Sequence, residues 1–241
     1  MAGLRIFETD PDAKQEEREE YERPEYAFQL RTGTQVKDAK TKKLKPVSLA
    51  RWRVLAQGPD NAGAIAELLG GEPVEFDATK EHDFEVLTTS EAIEIVLSGP
   101  DAIEEKLIQW GTNGQPIHEC DGVYSLLADD KGELCGCPET LKERKAKSRK
   151  GQGPAPGIVV TLRLAGVGYE LGLGRWIATS WQFAETVHNV KEALDGVDGE
   201  ALARLEIVQC EFTNDDGELV KYKKPVITVL GSYSDAVAEE A

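Results

Sequence analysis

Alternating apolar and polar residues predict β-strands through much of the chain, because successive side chains of a strand point to opposite faces. The alternation is clearest in Phe84–Thr88 and Ala92–Leu97. Similar runs predict strands at Tyr26–Leu30, Val47–Leu55, Val74–Phe76, Ile158–Leu164, Arg175–Ser180, Leu205–Phe212 and Leu219–Leu230. Most of these segments follow one another across short turns, so we expect mainly antiparallel pairing.

The last two predicted strands are joined by a strong hairpin signal. The connection, Thr213–Gly217, is polar and ends in glycine, which is typical of a tight turn between strands. Pro225 lies within the second strand and has no N–H to donate to a neighbour. The second strand is therefore predicted to lie at a sheet edge or to be interrupted at Pro225.

Helical periodicity is confined to a few segments. Ala62, Ile65 and Leu69 recur at helical spacing, and Gly70 follows them as a stop signal. The other predicted helices are a short one over Ile103–Trp110 and a longer one over Gln182–Leu194, with Ser180 as its N-cap.

These elements predict an α+β fold of mostly antiparallel strands with two to four helices and a loop-rich Cys/His insert that could hold zinc. Their order has no regular β-α-β rhythm, which disfavours a doubly wound parallel sheet. We expect a charged, solvated N-terminal arm over residues 1–24 and a single α+β domain over 25–231. The domain includes a Cys-rich segment at 117–157, and an acidic, frayed tail follows at 232–241.

The net charge of the chain disfavours some classes of function. The formal net charge is −16, from 44 acidic and 28 basic side chains, so the chain repels nucleic acid at long range and favours basic partners. Autonomous DNA binding is therefore disfavoured. The two lysine-rich stretches, Lys37–Lys45 and Lys142–Lys150, depart from this balance and are both interpreted as solvated loops. Without a signal-like N-terminus or a membrane-length apolar run, the expected location is the cytoplasm.

One group of closely spaced histidine and cysteine residues has the chemistry of a metal site. His118 and Cys120 are separated by one residue, and Cys135 and Cys137 repeat that spacing fourteen residues further on. Thiolate and imidazole are preferred ligands of Zn²⁺, and a hairpin would bring both pairs into one structural site. Most zinc motifs space their ligands more widely, so three reduced thiols in a loop remain the alternative. Cys210 lies in an apolar strand and is expected to be a core thiol.

Catalytic signatures are lacking. The chain has neither a GxxxxGK[ST] phosphate loop nor a GxSxG nucleophile elbow. The glycines of Gly166–Gly174 precede a predicted strand rather than a helix, which favours an ordinary turn over a nucleotide loop. We therefore expect a non-enzymatic protein. An enzyme whose metal site has an open coordination position is the rival hypothesis.

Several short segments occur in a characteristic order along the chain. They are Ala50-Arg51-Trp52-Arg53-Val54, Ala66-Glu67-Leu68-Leu69-Gly70-Gly71, Phe84-Glu85-Val86-Leu87-Thr88, Cys120-Asp121-Gly122-Val123, Cys135-Gly136-Cys137-Pro138 and Thr179-Ser180-Trp181. This ordered set resembles the recombination directionality factors of Streptomyces temperate phages, the phi-C-thirty-one and phi-BT-one type. The resemblance spans roughly residues 25 to 190, which is most of the chain.

The resemblance implies a partner and a mechanism. Such a factor binds a large serine integrase at its coiled-coil region and switches it from integration to excision of prophage DNA by protein–protein contact. DNA would be reached only indirectly, through the integrase, and no membrane is involved. The catalytic serine would belong to the integrase.

Two points stay open beside the resemblance. It implies a further cysteine near Gly151–Pro156, and this stretch has none, so His118 or another residue completes the site or no metal is held. The alternative function is an acidic accessory protein of phage DNA replication or repair with a structural zinc site. The basic stretches 37–45 and 142–150 motivate that alternative.

Overall fold

The computed structural model describes residues 25–38, 42–76, 81–213 and 217–240, so the predicted N-terminal arm lies outside the described residues. The strands are β1 (Phe28–Lys37), β2 (Leu44–Ala56), β3 (Pro73–Glu75), β4 (Phe84–Leu87), β5 (Ala92–Leu97), β6 (Ile103–Trp110), β7 (Pro116–Cys120), β8 (Ala155–Leu164), β9 (Gly174–Ala178), β10 (Ala201–Thr213) and β11 (Leu219–Ser232). The α-helices are α1 (Gly58–Leu69), α2 (Leu141–Arg149), α3 (Trp181–Ala184), α4 (Val187–Asp195) and α5 (Tyr233–Glu240).

All described strands join one large sheet, in the order β11-β10-β5-β8-β9-β1-β2-β4-β3. Every described pair is antiparallel except β1 with β9, which confirms the expected mainly antiparallel pairing. The sheet makes up more of the fold than the prediction of an α+β class implies. The described residues also contain five α-helices rather than the predicted two to four.

Strand β8 holds the sheet together and positions the Cys-rich segment. One edge of β8 pairs with β9, and the other pairs first with β6 and then with β5. A single turn at Pro100–Ala102 separates β5 from β6, so both strands can follow the same edge. The β6–β7 hairpin therefore leaves the main strand order and carries His118 and Cys120 away from the centre of the sheet.

An aromatic cluster lies at the centre of the core. Trp52 packs edge-on against Trp176 with ring centroids 5.9 Å apart, and Trp176 contacts Phe183 at 5.0 Å. All three side chains are buried, and the Trp52 indole N–H donates to the Glu91 carbonyl at 3.0 Å. Trp52 thus anchors the core, because its ring is buried while its polar atom is satisfied.

The helix predicted over Ile103–Trp110 is wrong, because these residues form strand β6. Their apolar residues also fit a helical period, but β8 pairs with one edge of the segment and β7 with the other. These long-range ladders satisfy the backbone groups of β6 on both sides and override the local periodicity.

Other predictions need smaller corrections. The helix over Gln182–Leu194 is divided into α3 and α4, although Ser180 does cap α3 by accepting from the Phe183 N–H. The basic stretch 142–150 lies mostly in helix α2 rather than a loop, whereas in the described part of 37–45 only Lys37, Leu44 and Lys45 lie in strands. Residues 233–240 form α5 instead of a frayed tail.

The prediction for the last hairpin is confirmed. β10 and β11 pair antiparallel from Ala201 opposite Ser232 out to Thr213 opposite Leu219. β11 lies at the edge of the sheet, and an edge strand tolerates a proline because its outer side has no neighbouring described strand that needs an N–H donor.

In the described part of the chain, no helix has both the length and the apolar content needed to cross a bilayer.

Candidate metal centre

Two of the predicted ligands lie on one face of strand β7. His118 pairs with Gln109 and Cys120 with Leu107 across the β6–β7 hairpin. Because residues two apart on a strand point to the same side, the imidazole and the thiol share a face. Cys120 is fully buried and His118 half-buried.

A short hairpin brings the other two cysteines back over β7. The Asp121 carboxylate accepts hydrogen bonds from the Val123 and Tyr124 N–H groups, both at 2.7 Å, and closes the first turn. These bonds hold the pKa of Asp121 below its usual value. Tyr124 then pairs with Leu134, and the Cys135 N–H donates to the Val123 carbonyl at 2.9 Å. The segment that carries Cys135 thus lies beside β7, the strand from which the hairpin starts.

The four side chains meet as the spacing predicted. The ligand atoms of His118, Cys120, Cys135 and Cys137 all lie within 4.8 Å of one another. The Cys137 Sγ is 3.9 Å from the Cys120 Sγ and 3.3 Å from the His118 Nε2. A tetrahedral zinc site would place two sulfurs about 3.8 Å apart and a sulfur and a nitrogen about 3.6 Å apart. The cluster could therefore hold a metal ion with little rearrangement.

The electrostatics of the thiols suit a cation. Burial raises the pKa of the Cys120 thiol to about 12 and also raises that of Cys137. For Cys135, burial opposes ionisation, but hydrogen bonds from the Cys137 N–H and the neighbouring thiols, with the Arg144 charge, lower the pKa. The raised pKa values favour neutral thiols at Cys120 and Cys137, and a divalent cation among the ligand atoms would instead favour their thiolate forms.

Gly136 allows the tight turn between the two loop cysteines. Its φ of +66° lies in the left-handed region that side chains other than glycine rarely adopt. The turn places Cys135 and Cys137 on the same side of the loop despite a single intervening residue. This conformation accounts for glycine at the position between the two cysteines.

Arg144 braces the loop and was missed by sequence reasoning. Its Nε donates to the Pro138 carbonyl at 2.6 Å and its Nη2 to the Gly122 carbonyl at 2.7 Å. Arg144 lies on α2, which begins with a capping box in which Thr140 and Glu143 exchange hydrogen bonds. That Thr-x-x-Glu spacing was the available signal for a helix directly after the cysteines.

Cys210 lies apart from this cluster. It is half-buried on β10, opposite Tyr222 in the outer part of the β10–β11 hairpin. The expectation of a core thiol is wrong, because that part of the hairpin extends beyond the residues that pack in the core. Cys210 therefore provides a control position for experiments on the other three cysteines.

The Cys-rich hairpin also exposes an apolar surface. Tyr124 and Leu134, paired across the hairpin, are 49% and 77% exposed, and Leu126 is exposed two residues after Tyr124. We call these three residues the hairpin face. Exposed acidic side chains occur along the same segment: Asp121, Asp129, Asp130, Glu133 and Glu139. Large apolar side chains grouped at the surface and flanked by charge are typical of protein interaction sites.

The cleft beside the cluster is too small for most substrates. It is lined by Gln109, His118, Arg144 and Gln152, among others, and has a volume of about 130 Å³. Small-molecule sites usually occupy roughly 300 Å³ or more. The geometry of this cleft thus favours a structural cluster over a catalytic one.

Comparison with known families places the chain among recombination directionality factor-like proteins. The matching family model is the Gp3-like one, and the match covers residues 29–229. Because most of the chain is matched, this protein belongs to that family. The chain matches no solved structure.

Proposed function

We propose that this protein binds a large serine integrase and switches it from integration to excision of prophage DNA. The family match over residues 29–229 carries the proposal. A directionality factor regulates a recombinase, so the catalytic groups would belong to the integrase and this chain would act as a non-enzymatic ligand in the bacterial cytoplasm. Contact with the coiled-coil region of the integrase is part of the same proposal.

The hairpin face is the surface that we propose for docking. Leu134 and Tyr124 pair with each other across the hairpin, yet the described residues of this chain leave 77% and 49% of these two side chains exposed. The acidic side chains along the segment suit a DNA-binding recombinase, which must present lysines and arginines. Apolar anchors would supply most of the affinity and the charges would steer the encounter.

We further propose that His118, Cys120, Cys135 and Cys137 hold a structural zinc ion that maintains this face. The loop that carries the hairpin face follows one ligand pair, His118 and Cys120, and leads into the other, Cys135 and Cys137. Within the described residues, the loop contributes Ser125 to the buried polar set but no apolar side chain to the core cluster, so ligand bonds would replace packing as its main constraint.

The switch would work by a population shift. A ligand changes the balance between two integrase arrangements only if it binds one of them more tightly. A difference of about 3 kcal/mol would change the preference roughly 150-fold, and one ordinary interface can supply that. No covalent step by this chain is required.

A recombination assay tests the proposed function directly. The purified integrase encoded by the same prophage would be given either the phage and bacterial sites or the hybrid left and right sites, with and without this protein. We expect excision only in its presence, reduced integration, and co-elution of both proteins without DNA. Efficient excision by the integrase alone, with no complex formed, would contradict the proposal.

Leu134→Ser should weaken the complex with integrase by at least about tenfold, because an exposed apolar anchor of an interface is lost. Binding measured by titration calorimetry, with and without the substitution, checks this. Leu219→Ser is the matched control, since Leu219 is also a strongly exposed leucine at a hairpin but lies on β11. Equal losses for both variants would exclude the hairpin face as the docking site.

The alternative function, an accessory protein of phage DNA replication or repair, is favoured only by the basic stretches. It requires the isolated protein to bind DNA with an affinity that falls steeply with salt. A gel shift across a salt series, without integrase, distinguishes the two functions.

A further inference from the structure

The β1–β2 hairpin extends beyond the rest of the sheet. Its inner part is flanked by β9 and β4, which pair with Phe28–Leu30 and Arg53–Ala56 respectively. Its outer part, Gly33–Lys37 with Leu44–Ser48, pairs only with itself among the described strands. Most of its side chains are exposed. We call this outer part, together with the adjoining Lys42, the basic ribbon.

The charge of this hairpin is opposite to that of the protein. Residues 28–56 contain eight lysines and arginines and one acidic residue, whereas the whole chain carries −16. None of the ion pairs among the described residues involves Lys37, Lys42 or Lys45. A protein this acidic has many carboxylates with which to neutralise lysines, yet none of those in the described ranges forms an ion pair with these three.

Positive charge also accumulates at the base of the ribbon. Arg31 and Arg53 lie directly opposite each other across β1 and β2, an arrangement that costs stability. Burial, together with the charges of Arg53 and Arg175, lowers the pKa of Arg31. Glu85 pairs with Arg53 and Glu81 with Arg175, and the charge of Glu81 partly offsets the lowering of the Arg31 pKa. No ion pair among the described residues includes Arg31 itself, so basic side chains extend from the base into the ribbon.

The second long hairpin shows that a protruding ribbon does not need such charge. Residues 201–232 of β10, β11 and their connection contain four basic and five acidic side chains. There, Lys221 is paired with Glu211 at 2.7 Å. The two hairpins thus share a shape and differ in charge, so solvation alone does not account for the lysines of the basic ribbon.

We propose that the basic ribbon contacts the phosphate backbone of DNA while this protein is docked on the integrase. Lys37 and Lys45 lie on opposite faces of the ribbon, since Lys45 pairs with Val36 and neighbouring residues alternate. A two-stranded ribbon with lysines on both faces suits a DNA groove, which has a phosphate strand on each side. This inference rests on the proposed function and adds a direct DNA contact to it.

The acidic remainder of the chain explains why the contact would depend on docking. Long-range repulsion keeps the free protein away from DNA. Docking on a DNA-bound integrase would raise the effective concentration of the ribbon near the duplex to about the millimolar range, where weak phosphate contacts become occupied. The ribbon would then favour integrase that is already on its sites.

The salt dependence of binding tests this. Each phosphate contact contributes about 0.9 to the slope of log affinity against log salt, so three lysines would contribute between two and three. We would compare the wild type with the triple variant Lys37→Gln, Lys42→Gln and Lys45→Gln. Binding is measured by fluorescence anisotropy to the prophage's integrase, both free and loaded on a hybrid-site duplex.

The wild type should bind DNA-loaded integrase with a steeper salt dependence than free integrase. The triple variant should lose that excess slope and bind the loaded integrase more than tenfold more weakly at low salt, with unchanged binding to free integrase. The control variant Lys221→Gln, Lys223→Gln and Lys224→Gln, on the charge-balanced hairpin, should behave as the wild type.

Three results would overturn the inference. The triple variant could bind loaded integrase as tightly as the wild type at every salt concentration. It could lose affinity equally for free integrase, which would make the ribbon a protein-binding surface. If the wild type did not bind free integrase at all, the proposed function would fail together with the inference, and that result is distinct from the other two.

Discussion

Replacing Cys137 by serine is expected to remove the bound zinc and abolish binding to integrase. The Cys137 Sγ lies 3.3 Å from the His118 Nε2 and 3.9 Å from the Cys120 Sγ. Without the ion, the hairpin that carries Tyr124 and Leu134 would keep the hydrogen bonds from Arg144 but lose the metal bonds that join its two ends. None of its described apolar side chains packs in the core cluster to replace those bonds. Zinc present at a thousand times its dissociation constant stabilises the folded state by about 4 kcal/mol, and that contribution would be lost.

Three measurements check this expectation. Metal analysis should find one zinc per chain in the wild type and none in Cys137→Ser. Amide hydrogen exchange should accelerate in residues 121–140 while the central strands stay protected, since β6 and β8 remain paired. Chelation of the wild-type protein should reproduce both effects.

Cys210→Ser is the matched control for the cluster. Cys210 lies on the β10–β11 hairpin and takes no part in the group of four ligand atoms. The variant should keep its zinc, its exchange pattern and its integrase binding. A metal-free wild-type protein that binds integrase normally would show that the cluster is not a zinc site.

Trp176→Ala is expected to cost about 3–5 kcal/mol of unfolding free energy, because truncating a buried tryptophan leaves a large cavity. Trp176 is 1% exposed and packs between Trp52 and Phe183. Urea denaturation should show the loss as a lower midpoint with an unchanged slope.

The neighbouring residue supplies the control for Trp176. Ile177 lies on the same strand with its side chain turned towards solvent, so Ile177→Ala should change stability by no more than about 1 kcal/mol. Similar costs for the two variants would contradict the assignment of Trp176 to the centre of the core.

Local patterns predicted the elements whose stabilising contacts lie nearby in sequence. Helix α1 follows the spacing of Ala62, Ile65 and Leu69, all of which are buried in the structure. The β10–β11 hairpin follows its turn residues and the position of Pro225. In these cases, the local preference and the tertiary environment agree, so periodicity was sufficient.

Prediction failed where distant pairing decided the conformation. Ile103–Trp110 fits a helical period but forms β6, because β7 and β8 supply its backbone partners from positions as distant as Val160, which pairs with Ile103. The lysine-rich stretch 142–150 was misinterpreted for a different reason. Its capping box lies within the sequence, but no apolar stripe marks the helix.

The sequence by itself determined the chemistry of the site: four nitrogen and sulfur ligands in two closely spaced pairs, a glycine between the last two, and a net charge of −16. Tertiary structure decided that the pairs meet and that Leu134 is exposed. It also decided that Lys37 and Lys45 lie on a protruding ribbon. Residue types and spacing define what a group can bind, whereas proximity and exposure depend on strand pairings between distant parts of the chain.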